Sequence, residues 1–115
     1  MREIVKAFKA LSDETRLRML NLLLVRECCV CEVMQALEIS QARASRNLRV
    51  LYDAGFLKLR HDGLWSLYSI DKESSKKYCT DLTEAVQKAL EGSKTALMDR
   101  PAVEERRKSR AKPCQ

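Results

Sequence analysis

Apolar residues in the first half of the chain recur every three or four positions, which predicts amphipathic helices. The first helix is expected from Ile4 to Leu11. Ser12 is the expected N-cap of the second helix, which has acidic residues in its first turn and ends at Arg26-Glu27. A short third helix is expected from about Cys31 to Leu37.

A fourth helix follows after a break at residues 38–40. Ser40 is a good N-cap for a helix from Gln41 to Ala54, and Gly55 lies where a left-handed residue would end it. A short helix, a tight break and a longer helix are typical of a helix-turn-helix.

The period then changes from helix to strand. Two short runs, Phe56–His61 and Leu64–Ile70, flank Asp62-Gly63, and this dipeptide predicts a two-residue hairpin because both turn residues would have positive φ. A last helix with an apolar stripe is expected from about Lys72 to Gly92. The sequence therefore predicts a mainly α fold with a small β-hairpin, in the winged helix-turn-helix order α-α-α-α-β-β-α.

The fourth helix divides into an apolar and a polar face at 100° per residue. Ala44, Leu48 and Leu51 fall on the apolar side. The other side carries Gln41, Ala42, Ser45, Arg46 and Arg49, with Arg43 flanking it. Gln, Arg and Ser side chains suit base edges and phosphates. Such a face could be an ordinary solvated helix surface, but the short helix before it and the hairpin after it favour DNA binding. In the wing, Lys58 and Arg60 are candidate phosphate contacts.

Length and composition fit one small domain. The chain has 115 residues, and its three glycines and two prolines argue against a turn-dense β-barrel. We expect a folded domain over residues 1–98 and a basic, disordered tail over 99–115, since residues 104–113 hold five bases and two acids. The chain contains no apolar run of membrane-spanning length, and its first residues do not have the pattern of a signal peptide, so we expect a cytoplasmic protein.

Cysteine is the residue type that carries candidate chemistry. Three of the five cysteines are crowded at Cys28, Cys29 and Cys31. A reduced cytoplasmic chain does not use these as a disulfide framework, so they are expected as metal ligands, redox groups or core residues. The single histidine, His61, excludes zinc sites built from several histidines and Ser-His-Asp catalysis.

Four segments together resemble the ArsR/SmtB family of metalloregulatory repressors over residues 4–92. They are Leu11-Ser12-Asp13-Glu14-Thr15-Arg16-Leu17, Cys29-Val30-Cys31-Glu32, Ser40-Gln41 followed by Ser45-Arg46-Asn47-Leu48, and Gly63 through Trp65 to Tyr68. The resemblance implies a homodimer, built by the first and last helices, that binds an inverted repeat in double-stranded operator DNA and leaves it when a toxic metal or metalloid binds. It adds Ser40 and Asn47 to the candidate DNA-binding residues. Ala42 and Asn47 depart from the proline and histidine that are common at these positions in the family.

The chemistry of the cysteine thiols indicates which class of ion acts as the inducer. Soft thiolates select thiophilic ions, and a helix N-terminus favours the thiolate form. The resemblance implies As(III) or Sb(III), with Cys29 and Cys31 in the family's metal box. Cys28 supplies the third sulfur in this interpretation, or Cys114 reaches in from the tail. No organic cofactor is expected. Residues two apart on a helix point about 200° apart, so we expect binding to unwind the first turn of the third helix.

Other functions stay open from the residues alone. The cysteines could bind Cd, Pb or Hg, act as a redox switch in a repressor, or pack as small hydrophobes. The C-x-x-C spacing also fits a thiol-disulfide enzyme, although no strand is expected before Cys28. A winged-helix interaction module without DNA is the remaining alternative. The absence of histidine over residues 71–92 argues against the family's zinc site on the last helix.

Overall fold

The computed structural model describes residues 1–74 and 76–99. The elements follow in the order α1 (Arg2–Leu11), α2 (Glu14–Val25), β1 (Cys28–Cys29), α3 (Val30–Leu37), α4 (Gln41–Ala54), β2 (Leu57–Asp62), β3 (Trp65–Ile70) and α5 (Lys77–Leu90). Residues 94–99 are also helical. The mainly helical fold with a β-hairpin after a helix-turn-helix is confirmed. Across the described ranges, none of the helices is long and apolar enough to cross a membrane.

The sheet contains one strand that the sequence pattern did not predict. In the described part of the chain the strands are antiparallel and ordered β1-β3-β2. Cys28 pairs with Tyr68 and Cys29 with Leu67, so the cysteine-bearing strand extends the hairpin on the side of β3. The wing is therefore hydrogen-bonded to the start of α3.

The hairpin turn lies one residue later than expected. Asp62 pairs with Trp65, which leaves Gly63 and Leu64 as the two turn residues. Gly63 has φ +60°, and Glu38 is the only non-glycine residue with positive φ in the described chain. A glycine at the first turn position is typical of a type II′ turn, so the expectation of positive φ at Asp62 was wrong.

Two helix starts also differ from the sequence prediction. Asp13, and not Ser12, is the N-cap of α2, since its side chain accepts a hydrogen bond from the backbone nitrogen of Arg16 at 3.0 Å. Ser12 instead follows α1, and its hydroxyl donates to the carbonyl of Phe8. The last helix begins at Lys77 and not near Lys72, because residues 71–74 form the turn that leaves β3.

The core lies between α4 and the other elements. Its largest fully buried side chains include Phe56, Met19, Leu20, Leu22, Leu48 and Leu51. The small residues Ala7 and Ala10 are the buried positions of α1, so that helix lies close against its neighbours. The larger apolar side chains of α1 point elsewhere, and Val5 and Phe8 are 43% and 52% exposed.

The end of the described chain is fixed to α2. Arg18 donates to both carboxylate oxygens of Asp99, at 2.9 and 3.0 Å, and this pairing raises the pKa of Arg18. Asn21, which is buried, donates to the carbonyl of Ala96. Asp99 thus joins the folded part, whereas the rest of the expected disordered tail lies outside the described residues.

We expect Gly55→Ala to lower the free energy of unfolding by about 2 kcal/mol, measured by urea denaturation. Gly55 has φ +100°, and an added Cβ would lie 3.1 Å from Cδ of Lys76 and 3.4 Å from Sγ of Cys79. Gly92→Ala is the matched control, because a Cβ there would meet nothing within 4 Å. Equal losses in the two variants would contradict the left-handed end of α4.

Candidate DNA interface and thiol cluster

The face of α4 that the sequence assigned to DNA is exposed, and the opposite face is buried. Ala44, Leu48 and Leu51 have no exposed surface. The exposed residues of the helix include Gln41, Ala42, Arg43, Ser45, Arg46 and Arg49. The helix therefore presents an amide, a hydroxyl and several guanidinium groups on one side, which are the donors that base edges and phosphates accept.

Local chemistry sets both ends of this helix. The hydroxyl of Ser40 accepts a hydrogen bond from the backbone nitrogen of Arg43 at 3.2 Å, and Gly55 takes the left-handed conformation that ends the helix. Both bounds agree with the sequence prediction. Ser40 is exposed, and the bond that the structure gives it is this cap.

Two arginines near the exposed face make weak bonds within the chain. Nη2 of Arg43 donates to the hydroxyl of Thr15 at 3.3 Å. Nε of Arg49 donates to Asp53 at 3.2 Å, and its guanidinium lies 5.9 Å from the ring centroid of Tyr52. Exposed pairs of this kind contribute little to stability, so these side chains can exchange their partners for phosphate at small cost.

Asn47 differs from the other candidate DNA-binding residues on α4 because it faces the protein. It is only 8% exposed. Its Oδ1 accepts from Nη1 of Arg16 at 2.8 Å, and its Nδ2 donates to the carbonyl of Arg43 at 3.0 Å. The arrangement therefore engages both ends of this amide inside the chain and does not direct it toward DNA.

The wing places Lys58 and Arg60 on β2, where both are exposed. Arg60 is paired with Glu27 through Nε at 3.0 Å, a contact that raises the pKa of Arg60. The hairpin tip itself carries Asp62, Gly63 and Leu64, and Leu64 is 75% exposed. Basic groups are therefore found on the body of the wing, and the tip carries an acid.

The three crowded cysteines lie in different environments. Cys28 and Cys29 form β1, the strand directly before the third helix, and are 0% and 2% exposed. Cys31 lies in the first turn of α3 and is partly exposed, and its sulfur accepts from Nε2 of Gln35 at 3.0 Å. Among the described residues, no three Cys, His, Asp or Glu side chains are close enough to hold one metal ion. The donor set fits a thiophilic ion in its chemistry, but it is not preassembled.

A polar cluster at the junction of β1 and α3 accounts for this arrangement. Cys29 is the N-cap of α3 in a capping box, in which its sulfur accepts from the backbone nitrogen of Glu32. The Glu32 carboxylate accepts from the backbone nitrogen of Cys29 at 2.9 Å and from Nη2 of Arg26 at 2.8 Å. Nη1 of the same arginine lies 3.4 Å from the sulfur of Cys28. Two of the candidate ligands, Cys28 and Cys29, are thus held by polar contacts at the junction of β1 and α3.

The other thiols have separate positions. Cys79 is 1% exposed, its sulfur contacts the carbonyl of Ala54 at 3.5 Å, and burial raises its pKa. It packs in the hydrophobic core. Cys114 lies outside the described residues.

Sequence reasoning missed three residues that organise the site. Arg26 and Glu32 form the buried pair at the junction, and Arg16 joins α2 to Asn47. The spacing of Cys29 and Glu32 was a usable signal, since a capping residue followed three positions later by Glu is the capping-box pattern. The bond from Arg16 to Asn47 spans 31 positions and has no local signal.

Comparison with known proteins places this geometry in a family. Residues 13–58 match the family described as "Bacterial regulatory protein, arsR family". The chain is 47% identical over 78 residues to the arsenic resistance transcriptional regulator ArsR1 of Pseudomonas putida. It is 44% identical over 75 residues to a cadmium resistance transcriptional regulatory protein CadC homolog of Staphylococcus aureus. Each match covers 64% of this chain, but only 60% and 62% of those relatives' own length.

A third relative is covered more fully, and the fold agrees with a solved structure. The arsenical resistance operon repressor of Bacillus subtilis is 34% identical over 74 residues, which are 64% of this chain and 70% of that protein. A homodimeric winged helix-turn-helix DNA-binding domain from Mycobacterium bovis superposes with a TM-score of 0.66 at 26% identity, covering 81% of this chain and 82% of that one. These relatives are named as regulators or repressors, and none of the three names is that of a thiol-disulfide enzyme. The chain belongs to the ArsR family of bacterial regulatory proteins.

Proposed function

We propose that the protein is a dimeric repressor that binds operator DNA and releases it when As(III) or Sb(III) binds the thiolates of Cys28, Cys29 and Cys31. One observation carries the proposal. Cys29, a member of the thiol cluster, is also the cap of α3, the helix that precedes the DNA-facing helix. A ligand that takes this sulfur acts directly on the helix-turn-helix.

The DNA contacts follow from the exposed side of α4. Gln41, Ser45 and Arg46 are placed to meet base edges in the major groove, with Arg43 and Arg49 at phosphates. Ser40 lies at the N-terminus of the helix, and Lys58 and Arg60 add phosphate contacts from the wing. Direct contact by Asn47 is not part of this proposal, because its amide is bonded within the chain.

The dimer would use the apolar surfaces of α1 and α5. Val5 and Phe8 are large, exposed and on the same helix. On α5 the predicted apolar stripe is only partly covered, with Leu82, Val86 and Leu90 half-buried and Ala85 and Ala89 exposed. Lys76 and Glu3, 2.6 Å apart, bring the starts of the two helices together. Apolar surface of this kind is typical of a surface that pairs with another chain.

The coupling to DNA would run through the start of α3. The Cys29 sulfur caps α3 and the Cys31 sulfur accepts from Nε2 of Gln35, so an ion that binds both sulfurs would compete with both of these hydrogen bonds. Release of the cap frees Glu32 from the Cys29 nitrogen and disturbs its pair with Arg26. Because α3 packs directly before α4, a change there misaligns the two α4 helices, which must match half-sites about 34–36 Å apart.

A cadmium sensor is the second candidate. It is supported by the 44% identity to the CadC homolog, whose printed name links it to cadmium resistance. Both candidates use the same thiols and differ in the ion, so one experiment separates them. A redox-sensing repressor would respond to oxidant with no added ion.

We expect the reduced protein to bind a DNA duplex that it has selected from random sequences, and we expect arsenite or antimonite to release this duplex. Fluorescence anisotropy of the labelled duplex measures both binding and release. Cys29→Ser/Cys31→Ser should keep DNA binding, because serine is also an effective N-cap, but should no longer respond to arsenite. Zinc should have little effect.

Cys79→Ser is the matched control and should respond to arsenite as the unaltered protein does, because Cys79 packs in the core away from α3. Release by cadmium alone would favour the second candidate. Normal arsenite release from the double serine variant would overturn the thiol assignment, and failure to select any duplex would overturn DNA binding.

Glu32→Ala is expected to lower the free energy of unfolding by about 3 kcal/mol in urea denaturation. The change leaves the largely buried guanidinium of Arg26 without its carboxylate and the Cys29 nitrogen without its acceptor. Asp53→Ala removes an exposed pair with Arg49 and should cost less than about 1 kcal/mol. Similar losses in both variants would show that the junction does not stabilise α3 as described.

A further inference from the structure

Three helices meet at one arginine side chain on α2. Nε of Arg16 donates to the carbonyl of Ala10 at 2.6 Å, and Nη2 donates to the carbonyl of Lys9 at 3.2 Å. Both carbonyls belong to the last turn of α1, where the helix leaves backbone acceptors available, and the Lys9 carbonyl also accepts from the backbone nitrogen of Ser12 at 3.2 Å. Nη1 donates to Oδ1 of Asn47 on α4 at 2.8 Å. One guanidinium therefore closes the end of α1 and contacts the DNA-facing helix.

The bond to α4 is well placed to fix its orientation. Asn47 is buried near the middle of the helix, and its Nδ2 also donates to the carbonyl of Arg43 one turn earlier. The guanidinium group of arginine is planar and rigid, so its several N–H donors hold their acceptors in fixed directions. The single ammonium group of lysine does not. A second bond, from Arg43 to Thr15, joins α4 to the residue next to Arg16.

We infer that Arg16 and Asn47 form a positioning pair that sets the angle between the DNA-facing helix α4 and the dimer-forming helix α1. The inference rests on the proposed DNA binding as a dimer. Because α1 would fix each subunit relative to its partner, the angle between α1 and α4 sets the distance between the two DNA-facing helices. The pair thereby determines which half-site spacing the dimer accepts.

The size of the effect follows from helix geometry. The 14 residues of α4 span about 21 Å, so each end lies about 10 Å from Asn47. A rotation of about 10° there moves the end that carries Gln41 by about 2 Å, which is more than the spread of about 0.5 Å in hydrogen-bond length. Loss of the pair is expected to weaken binding at the preferred spacing about tenfold, comparable to one mismatched base pair in a site.

The test compares variants on operators with different half-site spacing. The unaltered protein first selects its duplex from random DNA, and derivatives with one base pair inserted or removed between the half-sites are then made. Arg16→Lys keeps the charge but cannot reach all three acceptors, and Asn47→Ala removes the acceptor on α4. We expect each to lose about tenfold in affinity at the preferred spacing, to discriminate less between spacings, and to show no further loss when combined.

Arg18→Lys is the control, since Arg18 lies on the same helix as Arg16 but its described bonds are to Asp99, and it should keep both the affinity and the spacing preference. Circular dichroism at the assay temperature shows that each variant is folded, and Asn47→Ser replaces Asn47→Ala if the latter is not. Binding by Arg16→Lys equal to the unaltered protein would overturn the inference by showing a purely electrostatic role. Additive losses with an altered base preference and unchanged spacing preference would overturn it by showing that Asn47 reads DNA. If the unaltered protein selects no duplex, the proposed DNA binding fails instead.

Discussion

The burial of one face of α4 is the constraint on which the rest of the structure depends. Leu48 and Leu51 are fully buried, and so is the small residue Ala44. Burial of the two leucines contributes roughly 2 kcal/mol each, and their direction fixes which residues remain outside. Gln41, Ser45 and Arg46 are exposed because the helix cannot rotate without exposing this apolar side. The core thus determines the surface that the protein offers to DNA.

The second constraint concerns the short helix before α4. α3 has eight residues, and helices of this length are not stable alone in water. Its first turn depends on the Cys29 cap, on Glu32 and on Arg26, while β1 joins the same residues to the wing. Thiols that serve as structural partners in this way give a natural link between ligand binding and shape. A ligand needs only to bind the altered junction better than the present one to shift the equilibrium away from DNA binding.

Sequence patterns predicted the parts of the fold that local chemistry controls. α4 has the predicted bounds because Ser40 and Gly55 act within one turn of the helix ends. β1 was missed because two residues have no recognisable period, and its strand conformation comes from pairing with β3. The turn position was misjudged by one residue because pairing between Asp62 and Trp65 decides it. The miss at β1 reflects pairing with a distant segment, and the miss at the turn reflects the register of two neighbouring strands.

Local and distant contacts also differ in how well the sequence predicts the candidate functional site. The exposed donors of α4 could be read from helical spacing, but the inward direction of Asn47 depends on Arg16, which is distant in sequence. The sequence shows that thiols are crowded at residues 28–31, whereas the burial of these thiols and their separation from one another depend on β1. Likewise, the apolar positions of α1 were visible, but not that Ala7 and Ala10 would face the core and leave Phe8 exposed. Periodicity identifies an apolar stripe without identifying what covers it.

In the proposed function the inducer acts by releasing the first turn of α3. Hydrogen exchange followed by mass spectrometry on the reduced protein, with and without arsenite, measures this most directly. We expect faster exchange of the amides over residues 29–33 with arsenite, while the buried middle of α4 stays protected. Unchanged protection over these residues, under conditions where arsenite releases DNA, would contradict it.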